Sequence, residues 1–276
     1  MNPIELGYSP CPNDTYVFYA LVHGKVTYDF PITEILADIE TLNKMALSNE
    51  LDVVKVSFHA FAYLRENYCL LRSGGALGRR CGPLLISKQG TNSNGLQGLR
   101  IAIPGKMTTA ALLLRLYDPQ VEDIVVMPFD KIIGAVESED VDAGLIIHES
   151  RFTYQQHGLK SIVDLGEWWE VETGYPIPLG GILIRREFAT ERIQKFDAAL
   201  RASVEFAHDN FKQVRNYVCS HAQETDDSVV QAHIELYVNQ FTIDYGNEGE
   251  AAIKDLLVRA ENAGLVPRSN QSIFLT

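Results

Sequence analysis

One layout recurs along the chain and constrains it most. A short apolar run ends in a polar or glycine-containing turn, and an amphipathic stretch follows. "IELGYS" (4–9) leads through Pro10 and Cys11 into "PNDTYVFYALVHG", and "LDVVKVS" (51–57) leads into "FHAFAYLRENY". "LRIAIPG" (99–105) leads into "KMTTAALLLRLY", and "VDAGLIIHE" (141–149) leads into "SRFTYQQHG". This strand–turn–helix grammar predicts an α/β protein whose sheets are mixed but mostly parallel and flanked by helices. "PITEILADIETLNKMALSN" (31–49) predicts a further strand and a helix capped by Asp38.

From Arg186 onward the texture is helical, with little strand signal. Two extended, glycine-flanked stretches, "RRCGPLLISKQG" (79–90) and "PIPLGGILIRRE" (176–187), bracket a middle insert. Such a pair predicts two lobes. The first is discontinuous, residues 1–89 and 183–276, and the second covers 90–182, with a ligand cleft between them.

Composition excludes several functions. The net charge is -12 over 276 residues, so the chain has no electrostatic footprint for nucleic acid or an anionic membrane. No window approaches the roughly 18 apolar residues of a membrane span. The N-terminal stretch lacks the basic and apolar regions of a secretory signal, and the four cysteines are scattered. A cytoplasmic protein with reduced thiols is expected. A homodimer is compatible with the sequence, which does not set the oligomeric state.

In open sheets, ligands bind where strand ends turn into helices, and helix starts suit anions. The joints here carry Ser9, Asn13, Asp14 and Thr15; Lys55 and Ser57; Thr108 and Thr109; and His148 and Glu149. A cleft between lobes would bring them together. Each has two readings. "SPCPND" is a stiff helix cap or one wall of the cleft. His148 is a general base or a structural histidine bonded to a carbonyl. Thr108 and Thr109 hold a carboxylate or cap their helix. Trp168 and Trp169 pack in the core or stack on a ligand. No histidine spacing fits a metal site, so no metal is expected, and the sequence shows no phosphate loop or dinucleotide fingerprint.

"SPCPNDT", "SGGALG", "GLIIHESRFTY", "DLGEWWE" and "AHIELYVNQF" together resemble the 1,4-dihydroxy-6-naphthoate synthase family of menaquinone biosynthesis over essentially the whole chain. The resemblance implies a two-lobed fold similar to type II periplasmic binding proteins. It implies a cofactor-independent carbon–carbon lyase that converts cyclic dehypoxanthine futalosine to a bicyclic aromatic carboxylate. It also implies that His148 is the base and that Asp14, Thr15, Ser57, Thr108 and Thr109 form the substrate pocket. Two other readings stay open: a solute-binding protein of the same fold, and an enzyme like chorismate dehydratase.

Overall fold

The computed structural model describes residues 2–91, 95–222 and 226–275. The first half alternates as expected: β1 (Ile4–Tyr8), α1 (Pro12–Val22), β2 (Ile32–Leu36), α2 (Ile39–Leu47), β3 (Val53–Ser57) and α3 (Phe58–Leu64). Two short strands follow, β4 (Tyr68–Leu70) and β5 (Ala76–Gly78). The middle holds β6 (Leu84–Lys88), β7 (Ile101–Ile103), α4 (Thr109–Tyr117), β8 (Ile124–Val126), α5 (Ile132–Glu137), β9 (Ala143–Ile146), α6 (Ser150–Thr153), β10 (Leu159–Asp164) and α7 (Leu165–Thr173). The long strand β11 (Ile177–Arg185) leads into α8 (Thr190–Asp209), α9 (Phe211–His221), α10 (Asp227–Tyr237), α11 (Gln240–Ile243) and α12 (Gly246–Asn262).

Two sheets result. The first runs β2-β1-β3-β11-β4, with β5 also on β11; the second runs β10-β6-β9-β7-β8. The parallel pairings are β1–β2, β1–β3, β7–β8 and β7–β9. The other five are antiparallel, and every one involves β6 or β11. The sheets are mixed, as expected, with the parallel and antiparallel pairings nearly balanced. The two extended crossings are themselves central strands running against the strand–helix units. β6 pairs within the second sheet and all of β11 within the first.

Local physics explains the elements that frame the cleft. β3, "VVKVS", is buried at every position, as a central strand covered on both faces should be. Asp38 caps α2 by accepting hydrogen bonds from the Glu40 and Thr41 amides. Helix α8 lies against α1, closing one core around Phe18, Phe196 and Leu200. The two tryptophans pack: Trp169 is fully buried and its indole N–H donates to the Pro176 carbonyl, while Trp168 meets the edge of Tyr117. No helix among the described residues is long and apolar enough to cross a membrane.

Candidate active site

The four strand–helix joints meet around one hollow between the sheets, with about 640 Å³ of atom-free space that is partly open to solvent. Asn13, Asp14, Lys55, Ser57, Thr108 and Thr109 line it, together with His148. Ile39, Ile147 and Leu179 supply apolar wall. Thr15, expected at the pocket, is not among the lining residues. Its buried hydroxyl donates to the Cys11 and Pro12 carbonyls, as a hydroxyl one turn into a helix commonly does.

At the first joint Cys11 is the N-cap, and Pro12 occupies the first helical turn, where its missing N–H costs nothing. Asp14 sits in that first turn, where the helix dipole favours negative charge. Its carboxylate accepts from Ser9 Oγ at 2.7 Å, Asn13 Nδ2 at 2.8 Å and Lys55 Nζ at 2.8 Å. The Asp14–Lys55 pair is buried, with side chains 3% and 5% exposed. Two charges out of water persist only when such hydrogen bonds satisfy them. Asp14 is therefore largely occupied by protein donors, whereas the Lys55 ammonium has Asp14 as its one partner among the described residues. Its remaining N–H groups are the strongest donors the hollow can offer a ligand.

The second and third joints are tied to each other. The Ser57 amide donates to Asn43 Oδ1, and Asn43 Nδ2 donates to Ser57 Oγ and to the Met107 carbonyl. The Glu40 carboxylate accepts the Lys106 and Met107 amides. Gly105 allows this approach, because a Cβ there would stand 2.4 Å from Glu40 Oε2. Thr108 caps α4: its hydroxyl donates to the Gly105 carbonyl and accepts from the Ala111 amide. The Thr109 hydroxyl donates to the Leu179 carbonyl at 2.5 Å and accepts from the Phe58 amide at 2.9 Å. Both threonine hydroxyl protons are thus committed within the protein. What α4 leaves available are the amides of Thr109 and Ala110, which open the helix and have no intrahelical acceptor.

At the fourth joint the chain turns on His148, whose φ is 57°. The ring is half-buried, edge-on to Phe129 and nearly parallel to His233 at 6.2 Å. Burial lowers its pKa below the ordinary imidazole value, against an upward pull from Glu149 and Asp14. The imidazole is therefore neutral near pH 7, the state a base requires. A smaller hollow behind it, lined by Cys11, Asp38 and Glu149, shares His148 with the first. Cys11, His148 and Glu149 each bring a donor atom within 4.8 Å of the others. Burial pushes the Cys11 thiol well up, which keeps it protonated.

Sequence reasoning did not anticipate Glu40, Asn43 and His233 in this neighbourhood. Nothing local marks them, since each acts on a distant part of the chain. His233 Nε2 lies 2.9 Å from Asn13 Oδ1, across 220 residues of sequence. Burial and the adjoining His148 hold its pKa well below the usual range.

A family model described as menaquinone biosynthesis matches residues 4–262. The chain belongs to that menaquinone biosynthesis family. Within it, the chain is similar to a protein of Thermus thermophilus named 1,4-dihydroxy-6-naphtoate synthase, at 47% identity over 275 residues and 100% of both chains. A protein of the same name from Streptomyces coelicolor is 48% identical over 269 residues, 96% of this chain and 95% of that one. Among solved structures, one from Archaeoglobus fulgidus superposes with a TM-score of 0.90 at 39% identity, covering 96% of this chain and 98% of the other. A Candida albicans protein described as having the generic periplasmic binding protein fold gives 0.70 at 17% identity, over 98% of this chain and 92% of the other. The aliphatic sulphonate binding protein of Escherichia coli gives 0.67 at 12% identity, over 99% and 90%. The last two likenesses establish the fold, a periplasmic-binding-protein-like arrangement, and the family model establishes the biosynthetic setting.

Proposed function

We propose that this menaquinone-family chain is a 1,4-dihydroxy-6-naphthoate synthase, a carbon–carbon lyase acting in the cytoplasm on cyclic dehypoxanthine futalosine. The observation that carries the proposal is the placement of a neutral imidazole, His148, in the same hollow as the buried Asp14–Lys55 pair. The two relatives at 47% and 48% identity, both named for making 1,4-dihydroxy-6-naphthoate, support the choice of product.

In this reading the aromatic carboxylate docks at the start of α4, on the Thr109 and Ala110 amides, with the Ser57 hydroxyl beside them. The apolar wall of Ile39, Ile147 and Leu179 takes the ring face. His148 removes a proton from the sugar-derived part, which begins the scission that ends in an aromatic product. A base so placed contributes about 10²–10⁴-fold in rate. Negative charge then develops on a substrate oxygen, and the Lys55 ammonium is the donor able to meet it. The protein's own side chains supply all of this acid–base chemistry.

The test is direct. Purified protein is mixed with cyclic dehypoxanthine futalosine, and naphthoate formation is followed by absorbance or fluorescence. Turnover in the wild type and its loss in His148→Asn is the expected result. Tight binding without turnover in the wild type would instead mark a solute-binding protein.

A further inference from the structure

Behind the base lies a buried pair that the mechanism has not used. Glu149 Oε2 stands 3.6 Å from His233 Nδ1, and the two side chains are 6% and 0% exposed. Neither atom has a hydrogen-bond partner among the described residues. Their protonation follows from the neighbouring network. Asp14, already holding Lys55, accepts only, so Asn13 presents its Nδ2 to Asp14. That orientation turns Asn13 Oδ1, also an acceptor, toward His233 Nε2. His233 therefore carries its proton on Nε2. A neutral ring then offers a bare Nδ1 to a bare carboxylate oxygen, two acceptors face to face in a buried site. Such an arrangement is repulsive and costs the full desolvation of both groups.

We infer that Glu149 and His233 hold one proton between them, across the two halves of the site, and that this neutral pair is a positioning unit for His148. The inference rests on the reading of His148 as the base. A bare Glu149 carboxylate, one residue from His148, would stabilise its imidazolium form and disarm it; the shared proton cancels that charge. The other groups around the pair are already engaged or neutral. Lys55 is paired with Asp14, Arg151 with Asp164, and Asp38 caps α2. The Cys11 thiol and the Tyr237 hydroxyl, whose ring lies 4.7 Å from His233, are both pushed up by burial and stay protonated.

Two variants separate a charge-cancelling role from a merely structural one. In Glu149→Gln an amide donates to His233 Nδ1, and the pair stays neutral. In His233→Asn an amide donates to Glu149, and the pair carries a full negative charge. The acid limb of kcat/KM for naphthoate formation should keep its wild-type position in Glu149→Gln. It should move up by about one pH unit in His233→Asn, the ordinary effect of a nearby opposite charge. Equal limbs in both variants would overturn the positioning role. Nitrogen NMR of histidine-labelled wild type reads the proton itself, independently of turnover and of how the variants fold. The His233 Nδ1 resonance should lie away from the position of an unbonded pyridine-type nitrogen. A resonance at that position would overturn the shared proton. Wild type that makes no naphthoate would overturn the function, and the positioning role with it, while the NMR result still decides the proton.

Discussion

Replacing Thr109 by valine keeps the side chain's shape and removes its oxygen. In the structure that oxygen does two things: it gives its proton to the Leu179 carbonyl and accepts the Phe58 amide. Valine orphans both backbone groups. The buried Phe58 amide costs about 1–3 kcal/mol unsatisfied and the half-buried Leu179 carbonyl about 0.5–1.5, the net worth of an ordinary hydrogen bond, so the variant should lose about 1.5–4.5 kcal/mol. With a urea slope of about 3 kcal/mol/M, the unfolding midpoint should fall by about 0.5–1.5 M. Fluorescence of Trp168 and Trp169 is the natural probe, since Trp169 is fully buried on α7. Thr109→Ser is the control: it keeps the oxygen and loses one methyl group, worth about 0.8 kcal/mol. The reasoning fails if the valine variant unfolds within about 0.3 M of wild type, or if serine is as damaging as valine. Turnover supplies a second check. Were the hydroxyl proton the donor to a substrate carboxylate, its loss would raise KM by about 10–150-fold, the worth of a hydrogen bond to a charged group. The geometry instead predicts a much smaller change in KM, because the α4 amides remain.

Further outcomes follow from the same site. Because burial holds the His148 pKa below its usual value, kcat/KM should stay flat as pH falls through about 6.5 and decline only below it. A limb at or above 6.5 in a pH–rate profile would contradict this. The folded pKa values of His59 and His148 are both depressed, chiefly by burial, so below about 6.5 the unfolded chain binds the extra protons first. Their contribution to stability should therefore be full above that pH and drain away as pH falls, seen as a declining Tm. A Tm that rises on acidification would refute it. Lys55→Met should cost about 3–5 kcal/mol by leaving Asp14 buried without its cation, and adding Asp14→Asn should recover most of that. Urea melts that show no recovery in the double variant would remove the pair from the account.

What the sequence made legible is what local chemistry determines. Asp38 capping α2 and Gly264 ending α12 at φ 69° are decided within a turn of the chain. The strand–turn–helix units were visible because each carries its own periodicity, and the rule that ligands gather at strand ends located the hollow. Sheet polarity was less legible. The antiparallel partners of β6 and β11 lie far away in sequence, and an apolar run does not state its direction. The site shows the same limit at finer scale. That Thr109 would sit at the cleft was readable, but not that its hydroxyl would be spent on Leu179, 70 residues on. "SPCPND" reads as a stiff helix cap, yet the N-cap is Cys11, which makes no side-chain cap bond, and Asp14 instead gathers Lys55 from β3. Thr15 went astray for the opposite reason, since its bonds are entirely local and draw it into the helix.

The backbone at position 148 adopts a left-handed twist, which glycine tolerates freely and other L-residues hold at a cost of about 1–2 kcal/mol. Judged by conformational comfort alone, glycine suits this position better than histidine, since a hydrogen in place of the ring relaxes the chain. If His148 is the base proposed above, this is a place where the molecule accepts a less durable scaffold in return for reactivity.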